Sequence, residues 1–128
     1  MSEQLEEHGK DAQKHGKQIQ NSGKTIQKHS KEANNQQRKQ FIEAQGKLIE
    51  QYGKAIEAHG KAVEKYAKVP EGQAKAHQEH QQAIKNHIEA VRAFEKVVEV
   101  QLEQSNEVLN RLNKSTEKMK SQLDEGRN

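Results

Sequence analysis

The sequence predicts an all-α fold of coiled-coil type, in which long helices pack side by side. Three observations indicate this. A glycine followed by a lysine recurs every seven residues in the first half of the chain, and apolar residues recur at that interval in the second half. The 128-residue chain is 32% charged and only 3% aromatic, so it lacks the large side chains of an ordinary compact core. Because seven residues make almost two helical turns, both patterns mark one face of a helix.

The first half of the chain contains two copies of one four-heptad unit, at residues 2–33 and 39–70, offset by 37 residues. Each copy carries three glycines at heptad spacing: Gly9, Gly16 and Gly23 in the first, and Gly46, Gly53 and Gly60 in the second. A lysine follows each glycine and also the small residue that ends each series: Lys10, Lys17, Lys24, Lys31, Lys47, Lys54, Lys61 and Lys68. Eight lysines in register are hard to reach by chance, and they indicate a tandem repeat.

The glycines need a structural reason, because each glycine inside a helix costs about 1 kcal/mol relative to alanine. One explanation is the close approach of another helix, which any larger side chain would block. We therefore expect Gly46, Gly53 and Gly60 to form a contact surface. The other explanation is a soft helix that becomes ordered only on binding, particularly in the first copy.

Residues 69–72, Val-Pro-Glu-Gly, mark the one clear chain reversal. Proline cannot continue a helix, and glycine permits the backbone conformations of a turn. The following sequence predicts a long helix within 72–125, of about 50 residues and roughly 75 Å at 1.5 Å per residue. Its apolar residues lie on two adjacent heptad lines: Ile84, Val91, Val98, Leu112 and Met119 on one, and Ile88, Leu102, Leu109 and Leu123 on the other.

The segment that joins the two copies, residues 34–37, is Asn-Asn-Gln-Gln and contains neither glycine nor proline. A continuous helix therefore fits, and we favour a long antiparallel hairpin whose first arm bends near Asn35. A three-helix bundle is the alternative. One chain has few apolar residues to bury, so we expect oligomerisation to complete the core, with a dimer that forms a four-helix bundle favoured.

The residue inventory argues against an enzyme. The chain has no cysteine, no glycine-rich phosphate loop after a strand and no Glu-x-x-His pair for a carboxylate metal site. We predict no catalytic residue and no cofactor. No apolar run is long enough to cross a membrane, and the first residues do not resemble a signal peptide, so the expected location is the cytoplasm. Secretion without a cleaved leader stays open.

Histidine is the unusual residue, with seven copies that fall mostly on the predicted helix seam. Folding the chain at Pro70 places His59 across from His80, with His77 and His87 nearby. These four are weak candidates for a transition-metal site or a pH switch, because imidazole binds metals and titrates near neutrality. Ordinary packing of half-exposed rings is the simpler explanation, and we favour it.

The lysines of the two copies differ in their neighbours. In the second copy a glutamate follows three residues after each lysine, whereas glutamine or asparagine stands there in the first. Lys10, Lys17, Lys24 and Lys31 are therefore expected to lack partners. Residues 8–40 hold eight basic and two acidic side chains, so this arm is suited to a polyanion or an acidic protein surface.

These observations predict a non-enzymatic interaction protein, a self-associating helical hairpin that acts as a scaffold or adaptor for a protein partner. The alternative is a module that binds nucleic acid or an acidic membrane surface through the basic first repeat. A small secreted helical-hairpin protein is a further alternative.

Overall fold

The structure, a computed structural model, describes residues 2–126. Within that range it consists of three α-helices: α1 (Ser2–His29), α2 (Gln36–Ala67) and α3 (Gln73–Gly126). The all-α prediction is confirmed, and of the two arrangements the chain adopts the three-helix one. The helices are about 42, 48 and 81 Å long at 1.5 Å per residue, so α3 is much the longest.

The chain reverses between the two repeats instead of continuing as one bent arm. A single turn of 3₁₀ helix, Ser30–Glu32, follows α1, and the backbone is then extended at Ala33 and Asn35. The Asn35 side chain accepts a hydrogen bond of 2.8 Å from the backbone N–H of Arg38 and so caps the first turn of α2. The preference for a continuous first arm was wrong because the helical backbone stops after Glu32 and Asn35 caps a new helix, without help from glycine or proline.

The second reversal lies where the sequence places it. Val69 is extended, as is usual before proline, and Pro70 begins a 3₁₀ turn, Pro70–Gly72. A Cβ at Gly72 would lie 2.6 Å from the carbonyl oxygen of Tyr66, so the tightness of this turn requires glycine. The helix α3 then begins at Gln73, one residue later than predicted.

The central helix is α2, which packs against both of its neighbours and runs antiparallel to each. Its buried apolar residues follow one heptad line, and small side chains of α3 cover them. The buried apolar residues of the described chain are Leu5, Ile42, Ile49, Ile56, Val63, Ala67, Ala76, Ala83, Ala90, Ala93 and Val97. Helices α1 and α3 run parallel on α2 and make few contacts with each other, so a groove lies between them.

Candidate functional site: a histidine-lined groove and an exposed helix face

The glycines of both repeats lie at the contact between α1 and α2. Gly9 faces Gly60, Gly16 faces Gly53, and Gly23 faces Gly46. A Cβ built on Gly16 would lie 2.5 Å from the backbone nitrogen of Glu57 and 2.7 Å from the carbonyl oxygen of Gly53. These distances are shorter than any normal contact of a methyl group, so the two backbones touch. The close approach joins the two repeats within one chain.

A ladder of hydrogen bonds runs beside the glycine contact. Glutamines of α1 donate to glutamates of α2 that occupy the equivalent position in the second repeat. The pairs are Gln13 to Glu64 at 2.6 Å, Gln20 to Glu57 at 2.6 Å, and Gln27 to Glu50 at 2.8 Å. The donated hydrogen bonds hold the pKa values of Glu50 and Glu57 below their usual range, because they stabilise the charged carboxylate.

The lysines of both repeats flank this ladder on the same face of the α1–α2 pair. Glu57 lies between Lys61 of its own helix and Lys17 of α1, and Glu50 lies in the same way between Lys54 and Lys24. The expected pairing with the glutamate three residues later was wrong. The four heptad lysines of the second repeat instead approach the glutamate four residues earlier, within 3.4–4.0 Å, since that spacing also lies on one helix face.

Four histidines line the groove between α1 and α3. The rings of His8 and His80 stack with centroids 4.8 Å apart, and those of His15 and His87 meet edge to face at 6.2 Å. The groove has a volume of about 260 Å³, and Asp11 lies on its α1 side. The same channel continues past His87 to Val91 and Phe94. Its floor is apolar, and four imidazole rings line its walls.

His80 is the histidine whose environment is most changed by the fold. Burial lowers its pKa, and the neighbouring His8 and His77 lower it further, since protonated imidazoles repel each other. Its Nδ1 is buried and has no hydrogen-bond partner. In the described residues no group of three or more histidine, cysteine, aspartate or glutamate side chains is placed to hold a metal ion. The geometry favours a proton-sensitive contact.

The structure separates the four histidines that the sequence grouped near the turn. His59 lies against Glu79, with its Nδ1 at the carboxylate, and His77 is exposed. His80 and His87 face α1 instead of His59. The proposed convergence of His59, His80 and His87 was wrong because α1, folded back by the turn at Asn35, occupies the side of α3 on which these rings lie.

The second candidate site is an apolar face of α3 that the rest of the chain covers only in part. The residues of α3 that touch α2 are mostly alanines, whereas its large apolar side chains are between 37% and 63% exposed. We call these nine residues the α3 face: Ile84, Ile88, Val91, Phe94, Val98, Leu102, Leu109, Leu112 and Met119. Leu123 lies on one of the predicted heptad lines, but its side chain is outside the described residues.

Among the side chains that the structure describes, Glu107 makes the hydrogen bond to another helix that lies farthest along α3. Arg38, near the start of α2, donates two hydrogen bonds to the Glu107 carboxylate, at 2.5 and 2.9 Å, and holds its pKa below the usual range. From Leu109 to Ser121 every residue is exposed. At 1.5 Å per residue, α3 extends about 28 Å beyond this contact.

Sequence reasoning missed the glutamine–glutamate ladder and the pairing of His8 and His15 with α3. A signal for the ladder was present, because glutamine in one repeat stands where glutamate stands in the other. The histidine pairs had no such signal, since their offset depends on the reversal at Asn35. Lys10, Lys17, Lys24 and Lys31 line one side of α1, and among the described residues only Lys10 has a carboxylate within 4 Å, that of Glu6.

Comparison with models of known protein families, with curated proteins and with solved structures gives no match for this chain. A search of the described helices finds none that is both long and apolar enough to cross a membrane.

Proposed function

We propose that this chain is a non-enzymatic interaction protein that self-associates through the α3 face and presents its three-helix body to a protein partner. One observation carries the proposal: nine large apolar side chains lie along one stripe of α3 and remain 37–63% exposed in the folded chain. The absence of cysteine suits a reducing compartment, and we retain a cytoplasmic location as part of the proposal.

The size of the stripe supports an interface. The nine side chains run from Ile84 to Met119, about 52 Å along α3 at 1.5 Å per residue, and each is 37–63% exposed. Monomeric proteins rarely expose large contiguous apolar surfaces, and such surfaces commonly bind another protein. A second copy brings an identical apolar face to cover this one.

The proposal is tested by sedimentation equilibrium of the wild type and of a Leu109→Gln, Leu112→Gln variant. We expect the wild type to be dimeric at micromolar concentration and the variant to be largely monomeric with unchanged helix content. Leu48→Gln is the matched control, because Leu48 is a 40% exposed leucine on α2, outside the α3 face. A wild type that stays monomeric at high concentration would refute self-association.

A second candidate function is the binding of a polyanion, and one observation favours it. The heptad lysines of the two repeats form two rows on the face of the α1–α2 pair that carries the Gln–Glu ladder. The ladder carboxylates lie between the two rows. Lysines at heptad spacing lie about 10 Å apart along a helix, a separation suited to repeated contacts with phosphates. The carboxylates between the rows reduce the net positive charge, so this function ranks second.

The two lysine rows provide the test of polyanion binding. Changing Lys10, Lys17, Lys24 and Lys31 to glutamine should weaken binding to duplex DNA in low salt more than changing Lys47, Lys54, Lys61 and Lys68. The reason is that every lysine of the second set has a carboxylate within 4.0 Å, whereas three of the first set have none among the described residues. Equal losses, or no binding by the wild type, would remove this candidate.

A further inference from the structure

The part of α3 beyond Glu107 carries a heptad pattern that continues from the three-helix body. Apolar residues recur at alternating intervals of four and three residues, the spacing of a two-stranded coiled coil. We call these eleven positions the α3 seam: Ile84, Ile88, Val91, Glu95, Val98, Leu102, Ser105, Leu109, Leu112, Thr116 and Met119. A single amphipathic helix of this length is only marginally stable in water, so the extension of α3 calls for a second helix.

We propose that the second helix is α3 of another copy, docked antiparallel in one register. In that register Leu109 lies opposite Leu112 of the second copy, and Leu102 lies opposite Met119 of the second copy. This inference rests on the proposed self-association and adds its direction and alignment. It follows from where the seam is polar and where its flanks are charged.

The polar positions of the seam select the antiparallel direction. In a parallel dimer in register, Glu95 would lie against Glu95 of the second copy, and two like charges would meet inside the interface. In the antiparallel register, Ser105 faces Thr116 of the second copy, so two hydroxyl groups that interrupt the seam lie opposite each other. Glu95 then falls at the end of the overlap, where its carboxylate reaches solvent.

The charged positions beside the seam select the same alignment. Glu99 lies opposite Lys120 of the second copy, and by twofold symmetry this attraction occurs twice. If the two α3 helices were instead shifted by one heptad so that they overlapped further, Arg92 would lie against Lys120 of the second copy. Glu95 would then lie opposite Met119 of the second copy. A shift of one heptad in the opposite direction would shorten the overlap and place Thr116 opposite Leu112 of the second copy. Charges beside a coiled-coil seam commonly set its orientation in this way.

The resulting dimer is a rod with a three-helix body at each end. The overlap spans residues 95–126, about 47 Å at 1.5 Å per residue. The N-terminal ends of α3 in the two copies lie about 110 Å apart, again at 1.5 Å per residue. The antiparallel direction would point the two bodies away from each other, so that one rod presents two identical faces to two separate partners.

Disulfide trapping tests the direction, because the chain has no cysteine of its own. Leu102→Cys and Met119→Cys variants are mixed, equilibrated and oxidised, and the products are identified by intact mass. We expect the mixed disulfide to predominate and each variant alone to cross-link little. Lys114→Cys, on the opposite side of α3 from the seam, is the control and should not cross-link. Strong self-linking of either seam variant would overturn the antiparallel direction.

Sedimentation of the same samples separates the two proposals. A dimeric mass without the mixed disulfide overturns this register but leaves self-association standing, whereas a monomeric mass overturns both. Charge reversal gives an independent readout of the alignment. Glu99→Lys and Lys120→Glu should each weaken dimerisation about fivefold, and the double exchange should restore it. Failure of the double exchange to restore dimerisation overturns the register.

Discussion

Replacing Gly16 by alanine adds one methyl group at the point where α1 and α2 touch. The new Cβ would lie 2.5 Å from the backbone nitrogen of Glu57, 2.7 Å from the carbonyl oxygen of Gly53 and 2.9 Å from the Cα of Glu57. All three are backbone atoms, which cannot rotate away as a side chain would. The helices must therefore separate by about 1 Å to reach ordinary contact distances of about 3.5 Å.

Two opposing effects decide the change in the free energy of unfolding. Alanine is the better helix former by about 1 kcal/mol. Overpacking of a close contact costs about 1–3 kcal/mol, and the upper end applies here because the separation also stretches the 2.6 Å hydrogen bond from Gln20 to Glu57. We expect a net destabilisation of about 1–2 kcal/mol, which lowers Tm by roughly 4–8 °C in a chain of this size.

The measurement is thermal and urea unfolding followed by circular dichroism at one fixed protein concentration, because dimerisation makes Tm depend on concentration. Ala58→Gly is the matched control: Ala58 is exposed in the middle of α2, so this change reports helix propensity without a steric term. It should also lower stability, by about 1 kcal/mol. If Gly16→Ala raised Tm, the reasoning would fail, since the backbones could not be in contact there.

Two further predictions concern the histidine groove and the first turn. Burial beside His8 and His77 lowers the pKa of His80, so the unfolded chain binds the proton more tightly. The contribution of His80 to the free energy of unfolding should be fully present above the unfolded pKa of about 6.5, and should fall as the pH drops from there through the lower folded pKa. Urea unfolding at several pH values should therefore show a weaker pH dependence for His80→Leu than for the wild type. Asn35→Ala removes the cap of α2 and should cost about 1 kcal/mol in urea unfolding, whereas Asn21→Ala, inside α1, should cost much less.

Much of the fold follows from local sequence signals. The turn at Pro70 and the long helix after it were predictable, because proline ends a helix and apolar residues then recur at heptad spacing along α3. The reversal at Asn35 was not, since asparagine is compatible with a helix interior, a cap or a turn, and the choice depends on tertiary contacts. The contact between the glycines of the two repeats favours the reversal, because this contact cannot form if α1 and α2 are one continuous helix.

The candidate site was predictable only in part. The apolar lines of α3 are visible in the sequence, but which of them face α2 is not. Alanines such as Ala83 and Ala90 occupy the contact because α2 packs closely there, and this leaves Leu102 and Leu112 outside. The ring that stacks on His80 belongs to His8, which lies 72 residues earlier in the chain. Heptad spacing gives no information about contacts at that separation.

The hydrogen bonds from Gln13, Gln20 and Gln27 to the glutamates of α2 favour pairing of the first repeat with the second over pairing of two identical repeats. Two helices of the α2 type, brought together along the same stripe, would set carboxylate against carboxylate, and two of the α1 type would lose the charge-assisted hydrogen bonds. Because only Ala33 to Asn35 lie between the 3₁₀ turn after α1 and the start of α2, the correct partner is also the nearest one. A duplicated sequence is thereby protected from pairing like with like.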